Sequence, residues 1–345
     1  MCVCFGLTAL NPRGHGRSGA VDTVQDTRPE SIVERATGSC PLCSPAALIA
    51  SLGGPTSPVI GAVVDADEQM NATSEPHLHD PQTLYRHWEE SQWSPWEIDL
   101  ADDREQWPRI DDRTLVSFVL GSLMVAEERI TTKFSGLVGA DGTEEEVTFL
   151  ASQQIDEARH MQFYARFQDE VVSDPAPIAA HVARARAQTS PAFRTIFDDR
   201  LVAAHERLVA NPGDVAAKVA FVTIYHLILE ATLGLTTFEF STRFMNREGL
   251  LPGFVAGYSK IHHDEHRHIG YGIWYLRKAV AETPAVADVV RNTLRDLLPA
   301  VAESLTPPSG ADAAALGVSA EELRRFALDG LTRRLNVIGV PLDTL

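Results

Sequence analysis

Asp156-Glu157-Ala158-Arg159-His160 returns in kind further along the chain as Asp264-Glu265-His266-Arg267-His268. Both stretches hold Glu-x-x-His, with an Asp before the Glu and an Arg between the two. On an α-helix, residues three apart lie on one face. A carboxylate and an imidazole at this spacing can therefore hold one metal ion together. One Glu-x-x-His carries little weight, because a chain of this length holds about one by chance. Two copies, each inside a long helical segment, predict two helices facing each other across metal.

The surrounding sequence supplies those helices. From Asp111 onward apolar residues recur three and four apart, and β-branched alternation is scarce. This spacing predicts helices over 111–136, 144–171, 190–210, 213–247, 251–281, 284–304 and 319–337. Asn211-Pro212-Gly213-Asp214 stops one helix and starts the next, with Asp214 as N-cap. Leu251-Pro252-Gly253 breaks the following pair. The fold expected is all-α, a bundle of long helices.

A dinuclear carboxylate site needs one Glu from each of two further helices. Glu230 stands in Phe221-Val-Thr-Ile-Tyr-His-Leu-Ile-Leu-Glu230-Ala-Thr-Leu, where nearly every neighbour is apolar. An unpaired carboxylate buried there costs several kcal/mol, and a metal ion removes that cost. The fourth carboxylate comes from Glu127-Glu128. Val116, Leu120, Leu123, Glu127, Ile130 and Phe134 share one helical face, so Glu127 is preferred over Glu128. Four ionised carboxylates balance two divalent ions, and two neutral histidines complete a set that can be buried. Oxygen-rich donors with only two imidazoles suit iron or manganese better than zinc. Asp156 and Asp264 are expected to accept the second N–H of the histidines, Asp264 from His160. His226 and His262, each one turn before a ligand, are read as supporting or packed residues.

Composition bounds the rest. The 345 residues, 44% hydrophobic and 22% charged, suit a globular domain with a substantial core. A formal net charge of −17 argues against nucleic-acid or anionic-membrane partners and favours a cytoplasmic protein. All four cysteines, Cys2, Cys4, Cys40 and Cys43, precede the helical region, so no disulfide is expected within it. Residues 1–80 are rich in Gly, Pro, Ser and Thr and read as a disordered extension to a domain over 81–345, with Met70 a candidate start. No signal peptide is read, and glycines and prolines interrupt the apolar run before Val64.

The ligand order Glu127, Glu157-x-x-His160, Glu230, Glu265-x-x-His268 resembles that of the ferritin-like superfamily. Ribonucleotide reductase small subunits and bacterial multicomponent monooxygenases belong to it. The resemblance covers roughly residues 85–340. Trp93-Ser-Pro-Trp96-Glu-Ile-Asp-Leu, Glu127-Glu128-x-Ile130-Thr131 and Tyr225, five before Glu230, look like the small-subunit-like ligand-binding oxidases. That resemblance implies a ferritin-like four-helix bundle with additional helices, two metal ions per chain (manganese and iron, or two iron), and dioxygen activation. It also implies an electron donor, a long-chain fatty acid or other apolar molecule near the metals, and a homodimer. Tyr225 matches a tyrosine that forms an ether crosslink to a β-branched aliphatic residue. Ile130 stands where the family usually has Val.

Tyr164, four residues after His160, matches the radical tyrosine of reductase small subunits and departs from the oxidases. A reductase small subunit is therefore the second reading. It ranks below the oxidase because no Tyr follows Tyr275 to carry a radical to a large subunit. A non-catalytic iron-binding bundle is the third.

Overall fold

In the computed structural model the described residues are 78–110, 113–172, 177–305 and 317–345. The expected extension falls outside them up to residue 77, as do Met70 and all four cysteines. Among the described residues every regular element is helical. The longer ones are α1 (Pro81–Glu90), α2 (Ala101–Gln106), α3 (Arg113–Lys133), α4 (Glu144–Phe167) and α5 (Ile178–Arg186). Then follow α6 (Leu201–Ala210), α7 (Val215–Glu248), α8 (Pro252–Glu282), α9 (Ala287–Ser304) and α10 (Ala320–Ile338).

Four of these make the bundle: α3 packs on α4, α4 on α8, and α8 on the middle of α7. Their boundaries follow from local chemistry. Thr143 and Glu146 form a reciprocal capping box at the start of α4, and Asp214 caps α7 by accepting from the Ala217 N–H at 2.9 Å. Gly249, with φ +63°, ends α7 in the left-handed conformation that glycine adopts without Cβ strain. By length and composition α7 could cross a membrane, but its apolar window is 89% buried inside the bundle, so it is a core helix.

Three helices were not foreseen in the sequence. α1 is short and mostly polar outside; it depends on the Asp80 cap, on Pro81 at its first position and on docking against α4 and α8. α5 is alanine-rich and lies along α3.

The third, α2, clamps the start of α8. Asp103 is fully buried and accepts from the backbone N–H groups of Gly253 (2.8 Å) and Phe254 (2.7 Å), while Gln106 Oε1 accepts from Leu251 N–H at 2.7 Å. Leu251 sits at φ +50°, a conformation that costs a non-glycine residue of order 1 kcal/mol or more. Gly253 must be glycine, because a Cβ there would meet the Asp99 carbonyl oxygen at 2.2 Å. Asp103→Ala would strand two buried donors at the N-terminus of a 31-residue helix. We expect it to destabilise the fold by about 2–4 kcal/mol in denaturant unfolding. An Asn in its place should recover part of that loss.

A second departure from the expected regular helix lies inside α7. Residues Thr223–Gly234 form a π-helical stretch, with Leu235 N–H bonding back five residues to the Glu230 carbonyl. In an α-helix Tyr225 and Glu230 would point about 140° apart. With five-residue hydrogen bonds, residues five apart come close to one face. This local unwinding puts both Tyr225 and Glu230 on the inner side of the bundle.

Candidate metal centre

The four central helices bring six side chains together: Glu127 from α3, Glu157 and His160 from α4, Glu230 from the π-helical part of α7, and Glu265 and His268 from α8. His160 Nδ1 lies 3.7 Å from Glu127 Oε2, 3.3 Å from Glu157 Oε2 and 3.5 Å from Glu265 Oε1. His268 Nδ1 lies 3.3 Å from Glu157 Oε1, 3.6 Å from Glu230 Oε1 and 3.5 Å from Glu265 Oε2. The cluster thus divides into two halves. Glu127 faces only His160 and Glu230 only His268, whereas Glu157 and Glu265 present one oxygen to each histidine. Glu128 points elsewhere, onto Arg186 at 2.7 Å.

The donors fit cations rather than each other. Glu127 Oε2, Glu157 Oε2, Glu230 Oε2, Glu265 Oε2 and both histidine Nδ1 atoms are buried and make no hydrogen bond. Ligand atoms of Glu127, Glu157 and His160 lie within 4.8 Å of one another, as do those of Glu157, Glu265 and His268. Buried polar atoms left this way are costly unless an ion takes them up. Two metal ions, one in each half, would take up these six atoms, and the donor set is the hard, oxygen-rich kind that suits manganese or iron.

Titration follows the same logic. Burial pushes Glu127 up to about 7, with His160 opposing. Burial, aided by the charge of Glu265, raises Glu230 well above the carboxylate range. Burial also opposes ionisation of Glu157, yet His160 and His268 facing it hold it well below its ordinary value. Both histidines are raised well above theirs: burial works against this, but Asp264 and the facing carboxylates outweigh it for His160, and Asp156 with Glu157 does so for His268. Protons thus stand where cations would.

The outer contacts fix the histidines. His160 Nε2 is 3.2 Å from Asp264 Oδ2, and His268 Nε2 is 3.1 Å from Asp156 Oδ2. Each Nε2–H donates to its aspartate, so that once the Nδ1 proton is displaced Nδ1 is the lone-pair donor facing the cluster. Arg267 Nη2 ties the two aspartates together, at 3.1 Å from Asp156 and 2.5 Å from Asp264. Trp88 Nε1 donates to Asp156 (2.9 Å) and Trp93 Nε1 to Asp264 (2.7 Å).

The remaining candidates sit around this core. Tyr225 is fully buried and donates its hydroxyl to Glu157 Oε1 at 2.8 Å. Ile130 is buried in the same apolar cluster as Tyr225. Tyr164 is buried with its hydroxyl unpartnered, and burial together with the charge of Glu127 raises its pKa well above the ordinary phenol value. His226 is not among the converging donors. Its Nε2 donates to Gln153 Oε1 at 3.2 Å, and Gln153 Nε2 donates to Glu230 Oε1 at 3.0 Å. Burial and the charge of His268 lower His226 to about 3, so it is neutral. His262 lies flat on Phe238, with ring centroids 3.6 Å apart.

Sequence reasoning missed Gln153, Trp88, Arg267 and Tyr258. Arg267 carried a signal, since it stands inside the second Glu-x-x-His. Tyr258 is a second buried phenol beside the cluster, raised well above its ordinary pKa by burial and by Glu127 and Glu265.

A helical bundle whose core holds two carboxylate-and-histidine halves is a ferritin-like dinuclear carboxylate protein. The family model described as ribonucleotide reductase, small chain, matches residues 72–341, and the chain belongs to that family. Solved structures of R2-like ligand-binding oxidase share the fold. A glycine-to-phenylalanine variant with an anaerobically reconstituted Mn/Fe cofactor matches at TM-score 0.65 and 23% identity, over 76% of this chain and 94% of its own. A valine-to-isoleucine variant with an aerobically reconstituted Mn/Fe cofactor matches at 0.66 and 23%, over 75% and 94%. A glycine-to-leucine variant with a non-activated Mn/Mn cofactor matches at 0.66 and 22%, over 75% and 93%.

Proposed function

We propose that this protein is a dinuclear metal oxidase that activates dioxygen and attacks C–H bonds. The observation that carries the reading is the pair of half-sites sharing Glu157 and Glu265, with every orphaned donor atom turned inward. Glu127 and His160 would hold one ion, Glu230 and His268 the other, and Glu157 and Glu265 would serve both. Manganese with iron, as in the similar solved structures, or two irons, would supply the electrons that reduce dioxygen.

The chain's own residues do the rest. Asp156 and Asp264 hold the histidine tautomers, and Gln153 anchors one oxygen of Glu230 so that the other stays available. Glu265 and Glu127 retain 16% and 9% side-chain exposure, against 0–2% for the other four, so small molecules enter from their side. An apolar or fatty-acid-like molecule is the finer proposal for that approach. Tyr225 and Ile130 are proposed as an ether pair: a C–O bond replaces one C–H and one O–H, and two electrons and two protons leave toward reducing dioxygen. A homodimer and a separate electron donor complete the reading.

The test is metal loading followed by dioxygen uptake. Protein reconstituted with manganese and iron should hold about two ions per chain, consume dioxygen and, if the pair forms, yield a Tyr225–Ile130 peptide lighter by two hydrogens. Loaded protein that consumes no dioxygen would end the oxidase reading. The unpartnered Tyr164 hydroxyl favours the radical-generating reductase subunit as second reading. Ribonucleotide reduction on mixing with a large subunit would put that reading first.

A further inference from the structure

Beyond the candidate ligands, aromatic rings, all phenol or indole except the His226 imidazole, form a file that leads out of the bundle. Tyr225, bonded to Glu157, has its ring centroid 4.9 Å from that of His226. His226 is 5.5 Å from Tyr271, and Tyr271 is 5.9 Å from Trp274 and 6.1 Å from Tyr275, stacked on the latter at 17°. A Cβ at Gly272 would fall 2.2 Å from His226 Cβ, so glycine there is what lets α8 approach closely enough to seat the file. The outer end reaches solvent. Trp274 is half-buried with Lys278 over its ring at 5.0 Å. Tyr275, under Lys218 at 4.7 Å, lines a cavity of about 220 Å³ with Asp141, Glu146, Lys218 and Lys278.

The surroundings of Tyr271 suit one-electron chemistry. Phenol oxidation releases a proton, which needs an acceptor in place. The Tyr271 hydroxyl donates to Glu146 Oε1 at 3.4 Å, and Glu146 is itself buried, with Lys218 Nζ 3.6 Å away. A carboxylate buried at this point has no structural need of a tyrosine, since Thr143 N–H and Lys218 already engage it.

We infer that Tyr271, with Trp274 and Tyr275, carries single electrons between the cavity face and the carboxylate–histidine cluster, across the His226 and Tyr225 rings as intervening medium. That crossing calls for no Tyr225 hydroxyl and so holds with or without the ether. In each transfer Tyr271 gives one electron inward and its hydroxyl proton to Glu146. It recovers both when Trp274 or Tyr275 is re-reduced by a one-electron reductant in the cavity. The net change is one electron moved from that reductant to the dioxygen-oxidised cluster, with no proton displaced. The cavity wall holds more carboxylates than ammonium groups (Asp141, Glu146, Asp214 and Glu282 against Lys218 and Lys278), so a neutral or cationic aromatic amine suits it. This rests on the oxidase reading only for its direction and purpose.

The test begins on metal-free protein, where the file itself is probed. Flash-generated tris(bipyridine)ruthenium(III) should leave a trapped tyrosyl radical by electron paramagnetic resonance. The part of that signal lost in Tyr271→Phe defines the Tyr271 radical. The double variant Trp274→Phe/Tyr275→Phe keeps Tyr271 but should lower its radical yield by an order of magnitude, an effect that loosened packing would not produce. No Tyr271 radical in the parent protein, or an unchanged yield in the double variant, overturns the relay. In protein loaded with manganese and iron, re-reduction by tetramethyl-p-phenylenediamine should slow by a similar factor in Tyr271→Phe, and an unchanged rate again overturns it. Loaded parent protein that consumes no dioxygen while the metal-free radical follows the file would sink the oxidase reading and leave the relay standing.

Discussion

Glu157→Ala protein, equilibrated with manganese(II) or iron(II) and desalted, is expected to retain almost no metal, whereas Glu230→Ala should retain about one ion per chain. The difference follows from which half of the cluster each carboxylate serves. Glu157 lies 3.3 Å from the Nδ1 atoms of both His160 and His268, one oxygen toward each. Its loss removes a donor and a negative charge from both halves. Glu230 faces only His268, at 3.6 Å. Its loss leaves Glu127, His160, Glu157 and Glu265 intact around the other half. Removing a hydrogen-bonded partner of a ligand costs 10–100-fold in affinity. Losing a ligand that serves two ions should cost about 10³-fold or more at each, on the order of 4 kcal/mol. Glu128→Ala is the matched control: its side chain pairs with Arg186, and metal content should not change. Elemental analysis of the three proteins decides the matter. Glu157→Ala holding two ions at the parent affinity would remove the shared-carboxylate picture.

The parts of this architecture that were legible in the sequence are those encoded by helical period. Glu157 with His160 and Glu265 with His268 are each one turn apart, and Glu127 lies on an apolar stripe, so helix geometry alone aims them inward. Glu230 was legible for a different reason: its neighbours are so uniformly apolar that a carboxylate there needs a cation. The same uniformity hid the π-helical stretch. Thr223–Gly234 is buried nearly all round, so no polar face marks its period, and nothing showed that Tyr225 would share a face with Glu230. Gln153 was hidden because an amide on a charged helix reads as a solvent-facing residue. Its partners, His226 and Glu230, are more than seventy residues away in the chain. α1 and α2 were missed because ten- and six-residue helices show too few turns for a pattern. Their stability comes from docking and from contacts such as Asp103 with the start of α8, which are tertiary facts.

Metal-free protein should lose stability as pH rises from about 6.5 to about 8, and metal-loaded protein should not. Below about 6.5, His226 and His262, both lowered to about 3 chiefly by burial, act in the opposite direction and offset the carboxylates. Glu127 ionises near 4.5 in an unfolded chain and at about 7 in the fold. Between those values the folded state holds a proton that the unfolded state has released, so unfolding becomes easier as pH rises. Glu230 is raised in the same direction by burial and by Glu265. His160 and His268, raised well above 6.5 against their burial, contribute stability that is full below the unfolded value and fades as pH climbs through the folded one. Glu157 and Asp264 are depressed, so their contribution is complete above the ordinary carboxylate range and is lost only in stronger acid, below this window. The Glu127 shift alone amounts to about 3 kcal/mol, which for a domain of this size is on the order of 10 °C in the thermal midpoint. Metal ions replace these protons, so loading must release protons and strengthen with pH. Two measurements check this: calorimetric midpoints across the window with and without manganese, and titration in buffers of different protonation enthalpy. Glu127→Gln should shift the slope of the metal-free curve toward rising stability between about pH 5 and 7, by removing the group whose shift spans that range in the falling direction. A metal-free midpoint that climbs between about pH 6.5 and 8 would mean the cluster is not held together by protons when its cations are gone.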